Sequence, residues 1–259
     1  MAARGPGGGD YTHDIVSAAL AGGLPLNDVR NLAAVGLGEP PTPLLPAGGT
    51  PPRPDGGAAT VVERAWTDLY ERGLAAGRVL DGEFVRTLRA LVTAPQMYYA
   101  FFHRRAENTR SALVVSSGVL VSVAGGWVTL RRVWRSSVPD ALVEDLPSAP
   151  KGTGETLSAS IDELAEAPAG FATRRPTGRA AEMRWLLSQP RLGGGQLFAA
   201  RRDSRGERTV CPRPLSYFDI AAGRYLATEA PAPDGTRWRT ILPADTALLI
   251  ERLRELLPR

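Results

Sequence analysis

The chain has 259 residues, 43% of them hydrophobic, and a formal net charge of +4 from 31 basic and 27 acidic residues. A chain of this length buries roughly three quarters of its extended surface, enough for one substantial core or two fused halves. It has no run of about 18 apolar residues, and its start lacks the order of charges and apolar residues found in a signal peptide. Cys211 is the only cysteine, which excludes intrachain disulfides and cysteine-based zinc sites. We therefore expect a cytoplasmic protein without membrane insertion.

The first part of the chain predicts two short helices and a linker. Residues 1–10 are polar and Gly-rich, and we expect them to be disordered. Ile15–Leu20 and Val29–Val35 are apolar helix candidates. Residues 38–58 are crowded with prolines, which remove backbone donors, and with glycines, which cost entropy to order. This segment is predicted to be a surface linker.

Two longer helices are predicted before residue 95. Thr60 and Glu63 have the spacing of a capping box, in which each side chain satisfies a backbone donor at the start of a helix. This helix has an apolar face and ends at Gly73, which is expected to adopt the left-handed conformation. A second helix is predicted from Asp81 and is stopped by Pro95.

After residue 95 the sequence changes to short runs rich in aromatic and β-branched residues, separated by turn-like breaks. Such runs predict an antiparallel meander. Its strands are expected at Met97–His103, Ala112–Ser116, Val119–Val123 and Trp127–Val133. A short helical turn is expected at Ala141–Leu146.

The second half repeats this order. Ala180–Ser188 predicts a helix stopped by Pro190, and the glycines Gly193–Gly195 after it are interpreted as a turn. Strands are expected at Gln196–Arg202, Arg208–Cys211, Leu215–Ile220, Tyr225–Glu229 and Trp238–Leu242. The chain ends with an amphipathic helix from about Asp245, apolar on one side and charged on the other.

Several short matches indicate an internal duplication. Leu91–Pro95 resembles Leu186–Pro190, and Gly126 falls opposite Gly223 at nearly the same offset. Trp134–Pro139 likewise resembles Trp238–Pro243. We predict a single domain of two similar halves, about 11–147 and 155–259, with matching half-sheets related by a pseudo-two-fold axis.

The chain offers little for catalysis. His13 and His103 are the only histidines, and neither has the spacing to a second ligand that a metal site requires. Cys211 lies in a predicted strand, where a small buried residue is expected rather than a nucleophile. With two histidines, no Ser-His-Asp set is assembled. We predict no enzyme, no cofactor and no metal, and the duplicated unit indicates a binding scaffold.

Arginine pairs leave a nucleic-acid-binding function as an alternative. Arg-Arg pairs begin at residues 104, 131, 174 and 201. Two of them end predicted strands, where solvated charges limit edge-to-edge aggregation. The modest net charge is spread along the chain, whereas nucleic acid prefers a concentrated basic face. A solvated surface is therefore favoured, and we expect no nucleic-acid partner.

In their order and spacing, several stretches resemble the EspG family of cytoplasmic proteins associated with type VII secretion in actinobacteria. The resemblance covers the chain from about Ile15 to the C-terminus. The stretches that carry it are 35–44, 64–74, 142–147 leading through 151–154, and 217–225 followed by Trp238 and Pro243.

The resemblance implies an α/β (α+β) fold with quasi-two-fold symmetry, in which a central antiparallel sheet is flanked by helices. It also implies a chaperone that binds the apolar tip of helical-hairpin substrates of the PE/PPE kind and keeps them soluble until secretion. A non-chaperone component of the secretion apparatus is an alternative. A groove between the sheet and the C-terminal helical part is expected to bind this partner, in the helix-in-groove manner. Its residues in this chain are predicted to be Arg105, Asn108, Arg110, Leu215, Tyr217, Phe218 and Arg252.

Overall fold

A computed structural model describes residues 66–259 except 68–69, 72, 74, 83–85, 87–89, 91–92, 105–109, 125–126, 135–137 and 167–177. The predicted disordered start, the two short helices, the linker and the Thr60–Glu63 capping box lie outside the described residues. Gly73 has φ 71°, and its N–H donates to the carbonyl oxygen of Tyr70 at 3.0 Å. This confirms the predicted left-handed end of the helix that includes Trp66 and Tyr70.

Twelve strands and four helices are defined within the described residues. The strands are β1 (Ala75–Ala76), β2 (Val79–Leu80), β3 (Gln96–Arg104), β4 (Arg110–Val115), β5 (Val119–Ala124), β6 (Trp127–Arg132), β7 (Leu157–Ser160), β8 (Gly193–Arg202), β9 (Arg208–Val210), β10 (Leu215–Ile220), β11 (Gly223–Pro231) and β12 (Arg237–Pro243). The helices are α1 (Val138–Glu144), α2 (Ile161–Glu166), α3 (Arg179–Ser188) and α4 (Thr246–Glu255). No helix among the described residues has both the length and the apolar character needed to cross a membrane.

Ten of the described strands form one antiparallel sheet in the order β6-β5-β4-β3-β8-β10-β11-β12-β7, with β9 paired to β8. β1 and β2 form a separate hairpin. The predicted α+β fold, with a central antiparallel sheet and flanking helices, is confirmed. The sequence interpretation missed the β1–β2 hairpin, and it missed β7 and α2, although Ser160 and Glu163 have capping-box spacing. The Ser160 Oγ accepts from the Glu163 N–H at 3.1 Å, and the Glu163 carboxylate accepts from the Ser160 N–H at 2.8 Å.

The strand order is mirrored about the central β3–β8 pair, in which Tyr99 lies opposite Phe198. Gly118 in the β4–β5 turn and Gly223 in the β10–β11 turn occupy equivalent positions, with φ values of 83° and 111°. Gly126, which was matched with Gly223 in the sequence, lies outside the described residues. The division into two similar halves stays a prediction.

The strand positions bear on the sequence match of Trp134–Pro139 with Trp238–Pro243. Trp127 begins β6, and Trp238 is the second residue of β12, the strand in the mirrored position. Trp134 follows the end of β6 and has a different place in the sheet. The short sequence matches and the mirrored strand order therefore differ at this tryptophan.

Gly193–Gly195 is the start of β8 and not the predicted turn. A Cβ atom at Gly195 would lie 2.6 Å from the carbonyl oxygen of Phe101. At Gly194 it would lie 3.0 Å from the carbonyl oxygen of Tyr217. Glycine is required here because the neighbouring strands β3 and β10 approach β8 closely, which a composition rule for turns does not reveal.

One face of the sheet packs against α1 and α4, and we call it the α1/α4 face. Ala100, Leu197 and Leu226 contribute to it from three strands, and Leu249 and Leu253 from α4. Asp245 caps α4, because its carboxylate accepts from the N–H of Leu248 at 2.9 Å, and this confirms the predicted terminal helix. Burial of each leucine contributes about 1.5–3 kcal/mol, so the terminal helix stabilises the centre of the sheet.

The opposite face packs against α2 and α3 over the C-terminal half of the sheet, and we call it the α3 face. Phe218, Ile220 and Tyr225 form a buried cluster there with Met183 and Leu186 of α3. The ring of Phe218 stacks on that of Tyr225 at 5.5 Å. Helix α3 therefore covers one end of this face.

Residues 147–154 form a strap that is bonded to the start of β11. The side chain of Arg224 donates to the carbonyl oxygen of Pro147 at 2.6 Å, and the N–H of Gly152 donates to the carbonyl oxygen of Arg224 at 2.9 Å. The Tyr225 hydroxyl donates to the carbonyl oxygen of Thr153 at 2.8 Å. Two of the stretches that carry the family resemblance, 142–154 and 217–225, are thus in direct contact.

Candidate functional site

The predicted site residues in the 105–110 turn and on the last helix are partly described. Arg105 and Asn108 lie outside the described residues. Arg110 begins β4, opposite Phe102, and is exposed. Arg252 is exposed on α4 and donates to the carboxylate of Glu255 at 2.8 Å.

The predicted site residues in β10 lie in the core. Leu215, Tyr217 and Phe218 are 4%, 3% and 8% exposed. Burial raises the pKa of Tyr217, and the guanidinium of Arg224 lies 4.5 Å from the centre of its ring. β10 is a central strand and these three side chains are enclosed in the core, so they support the fold and are not displayed on the surface of the isolated chain. The sequence interpretation placed them at the partner groove on the strength of the family resemblance, and the sequence pattern does not show how many faces of a strand are covered.

The outer face of α4 is charged rather than apolar. Arg254 donates to the carboxylate of Asp140 in α1 at 2.7 Å, and Lys151 pairs with Asp245 at 3.0 Å. Exposed pairs of this kind are each worth about 0–1 kcal/mol. This surface has the character of a solvated helix face, and it offers little apolar area to an apolar partner.

An aromatic cluster lies on the α3 face, at the centre of the sheet. The ring of Tyr99 stacks on that of Phe198 at 4.9 Å, and the ring of Phe101 meets both edge-on at 6.0 Å. Tyr99 is buried, whereas Phe101 and Phe198 are only half-buried. Tyr98 and Phe102 point to the α1/α4 face, so the aromatic run of β3 serves both faces of the sheet.

A row of small and polar side chains extends this cluster across the sheet. Gln196 lies opposite Phe101, Ser216 opposite Gln196, and Ala227 opposite Ser216. Residues opposite each other in antiparallel strands point to the same face. Gln196 is exposed and the other two are half-buried. We call the surface of Phe101, Gln196, Phe198, Ser216 and Ala227 the sheet floor.

Helix α3 lies beside the sheet floor, over the C-terminal half of the sheet. Trp185 and Leu187 of α3 pack, partly buried, against the same cluster as Ala227. The guanidinium of Arg191 lies 3.9 Å from the centre of the Phe218 ring, and burial lowers the pKa of Arg191. The sheet floor is therefore the base of an open surface with a helical wall beside it. Sequence reasoning missed Gln196, Phe198 and Ala227, although the spacing of Tyr99 and Phe101 by two residues was a signal for an aromatic face.

Charged residues lie next to the sheet floor, on the side of β12. Glu229 lies two residues beyond Ala227 and opposite Arg239. The Arg237 side chain donates to the Glu229 carboxylate at 2.7 Å, and the Nε of Arg239 does so at 2.9 Å. The hydrogen bond from Arg239 lowers the pKa of Glu229, with a smaller contribution from Arg237. This end of the floor is cationic overall.

The described residues hold no group of three or more His, Cys, Asp or Glu side chains placed to bind a metal ion. His13 lies outside the described part of the chain, and His103 stands near the end of β3. Cys211 is buried, and its Sγ accepts from the N–H of Ala199 at 3.4 Å. The predicted structural role of this cysteine agrees with its burial.

A ten-stranded antiparallel sheet, with one face closed by helices and the other partly open, defines an α+β scaffold. The family model of the EspG family matches residues 32–255, and the chain therefore belongs to the EspG family. A comparison with curated protein sequences gives no match.

Among solved structures, the chain is similar to the type VII secretion system chaperone EspG5 of Mycobacterium tuberculosis, whose structure is of a complex with the PE25-PPE41 dimer. The TM-score is 0.58 at 17% sequence identity, and the match covers 76% of this chain and 86% of that chain. At this identity the similarity shows a common fold.

Proposed function

We propose that this protein is a cytoplasmic chaperone of type VII secretion. It binds the apolar tip of a helical-hairpin substrate of the PE/PPE kind and keeps the substrate soluble. Membership of the EspG family supports the chaperone role, and the structural relative EspG5 is a chaperone seen with a PE-PPE dimer. The observation that carries the proposal is the half-exposed aromatic part of the sheet floor beside α3.

The sheet floor has the chemistry that a helix tip requires. Half-buried aromatic side chains supply large apolar contact areas at low cost in side-chain entropy. Gln196 and Ser216 supply hydrogen-bonding groups beside them. The floor occupies the central strands, so it is held rigid by pairing on both sides, and a rigid surface loses little entropy on binding.

The predicted contacts divide between this floor and its surroundings. Arg110 lies opposite Phe102 and Arg252 stands on α4, so both exposed arginines belong to the α1/α4 side of the sheet, away from the floor. Leu215 and Tyr217 act from beneath, on the α1/α4 face, and Phe218 packs beside the floor under Arg191; all three fix the position of β10. The partner contact itself is assigned to the half-buried residues of the floor.

Two neighbouring residues of β11 provide the test. Ala227 is part of the sheet floor, and Thr228, the next residue, is exposed on the opposite face of the sheet. Tagged full-length protein and the variants Ala227→Asp and Thr228→Asp are used to capture partners from the native cytosol, with identification by mass spectrometry. We expect a stoichiometric helical-hairpin protein with the wild type and with Thr228→Asp, and its loss with Ala227→Asp. Circular dichroism of the helical signal shows that each variant is folded. Equal capture by both variants, or no stoichiometric partner at all, would contradict the proposal.

A further inference from the structure

Three arginines donate to one glutamate at the β12 end of the sheet floor. Arg237 and Arg239 both donate to the side chain of Glu229, and Arg213 donates to its backbone carbonyl oxygen at 3.0 Å. Two guanidinium groups bind the Glu229 carboxylate and the third binds the backbone of the same residue, so three cations and one carboxylate give an excess of two positive charges. We call these four residues the arginine cluster. The Arg237 side chain is 68% exposed, so its charge is presented to solvent.

A cleft opens between two of these arginines. It has a volume of about 290 Å³ and is lined by Arg213, Glu229, Ala230, Pro231 and Arg237. Pockets for drug-sized molecules and cofactors run from about 300 to 1,000 Å³, so this cleft is at or below their lower limit. It is of a size for a single side chain. Two guanidinium groups with apolar Ala230 and Pro231 between them match a carboxylate on a short aliphatic stem, because arginine binds carboxylates through paired N–H donors.

From these features we propose that the arginine cluster is a carboxylate-binding subsite that selects substrates carrying an acidic residue beside their apolar tip. The inference rests on the proposed function, since it concerns the same substrate on the same face of the sheet. Glu229 and Arg239 point to the face that bears Phe198, because they follow Ala227 and lie opposite each other. The cluster thus adds selection by charge to a floor that binds by apolar contact.

The distance along the sheet suits one bound hairpin. Arg239 on β12 is three strands from Phe198 on β8, which corresponds to about 14 Å at the usual strand spacing. Two packed helices, each about 10 Å across, have a tip of about 20 Å. A single hairpin tip therefore covers the aromatic part of the floor and still reaches the cluster.

The geometry favours a protein carboxylate over a nucleic acid. Proteins that bind nucleic acid through phosphates commonly make about 6–10 such contacts, and this cluster has an excess of two charges. The carboxylate of Glu229 in its centre also repels a continuous row of phosphates. A single carboxylate, by contrast, needs one pair of guanidinium donors.

The test uses two synthetic helical-hairpin peptides with the same apolar tip. One carries two glutamates beside the tip and the other carries two glutamines. Their affinities for the full-length protein are measured by fluorescence anisotropy at low and moderate salt. We expect the glutamate peptide to bind about tenfold more tightly at low salt, with the difference shrinking as salt is added. The double variant Arg213→Ala/Arg237→Ala is expected to bind both peptides equally, at the affinity of the glutamine peptide.

A double variant on β6 supplies the matched control. Arg131→Ala/Arg132→Ala removes the same charge from exposed positions at the opposite edge of the sheet. It should keep the preference for glutamate, so a general effect of net charge is distinguished from the subsite. Loss of the preference in both double variants would overturn the subsite.

The remaining outcomes separate this inference from the proposed function. Equal binding of both peptides by the wild type would overturn the subsite and leave recognition of the apolar tip standing. Failure of both peptides to bind would overturn tip recognition and the subsite with it. A single-stranded oligonucleotide that bound more tightly than the glutamate peptide, and lost binding in Arg213→Ala/Arg237→Ala, would reassign the cluster to nucleic acid.

Discussion

Two arginine–carboxylate pairs join adjacent strands of this sheet, and they differ in burial. Arg224 and Asp219 face each other across β11 and β10 on the α1/α4 face, with side chains 5% and 9% exposed. Arg239 and Glu229 face each other across β12 and β11 on the α3 face, with side chains 34% and 33% exposed. The same chemistry is enclosed on one side of the sheet and meets solvent on the other.

The comparison shows how the two faces divide their roles. On the closed face, Arg224 donates twice to Asp219, at 2.7 and 2.8 Å, and its third contact anchors the strap. Every partner there is internal, so the pair fixes the strand, the strap and the start of β11 together. On the open face, Arg239 and Glu229 hold each other's side chains at a surface that solvent reaches. One face therefore stabilises the fold, and the other has capacity left for a partner.

The largest expected effect comes from breaking the buried pair. Arg224→Ala removes the only described cation beside Asp219 in the core and leaves that carboxylate buried, which typically costs about 3–5 kcal/mol. The free energy of unfolding, measured by urea denaturation, should fall by this amount.

Arg239→Ala is the matched change on the open face. Its pair is half-exposed and solvent-screened, and Arg237 still contacts Glu229, so we expect a loss of about 0–1 kcal/mol. Similar losses in Arg224→Ala and Arg239→Ala would show that the two faces do not differ as described.

A smaller effect is expected at the centre of the sheet. Gly195→Ala places a Cβ atom 2.6 Å from the carbonyl oxygen of Phe101 and 2.7 Å from the Cβ of Phe102, and one of these strands must move. Overpacking of this kind costs about 1–3 kcal/mol. Thermal denaturation should show a lower midpoint.

Gly206→Ala is a control in which the added Cβ meets nothing within 4 Å. Gly206 has φ 86°, so its cost comes from the backbone alone. The binding of a hairpin peptide separates the two changes, because only Gly195 lies between β3 and β10, which carry the floor. Unchanged peptide binding by Gly195→Ala would mean that the floor tolerates movement of these strands.

Sequence reasoning recovered most of the strands because alternation and turn residues are local signals. β10 was predicted at the observed residues, 215–220, and the terminal helix was predicted from its cap at Asp245. The glycines of β8 were misread, because their reason is the close approach of strands that are distant in sequence. The family resemblance supplied the expected partner but could not place it.

The sheet floor could not be found from the sequence for a related reason. Phe198 and Phe218 both stand in strands of similar pattern, yet Phe218 lies under Arg191 of the segment after α3, whereas Phe198 is half-open. Which of the two is covered depends on where α3 packs. Helix placement is a long-range property, so the predicted contacts fell on the buried side chains of β10, whereas the floor takes only Ser216 from that strand.

A small, pH-dependent effect is expected at the cap of the helix that closes the α1/α4 face. The N–H of Leu248 and the ammonium of Lys151 hold the pKa of Asp245 below its ordinary value, the backbone N–H being the larger cause. Asp245→Ala should cost about 1 kcal/mol at pH 7, the usual worth of an N-cap. A depressed carboxyl pKa contributes stability above the ordinary value of about 3.9, and this contribution is lost as the pH falls through the folded-state pKa. The difference in free energy of unfolding between wild type and Asp245→Ala should therefore be full at pH 7 and should shrink below about pH 4, measured by urea denaturation across that range.

A difference that stayed constant down to pH 3 would mean that Asp245 acts through packing or backbone conformation instead of through its charge. Lys151→Met separates the two contributions to the cap: because the N–H of Leu248 remains, this change should reproduce only the smaller part of the pH-dependent loss.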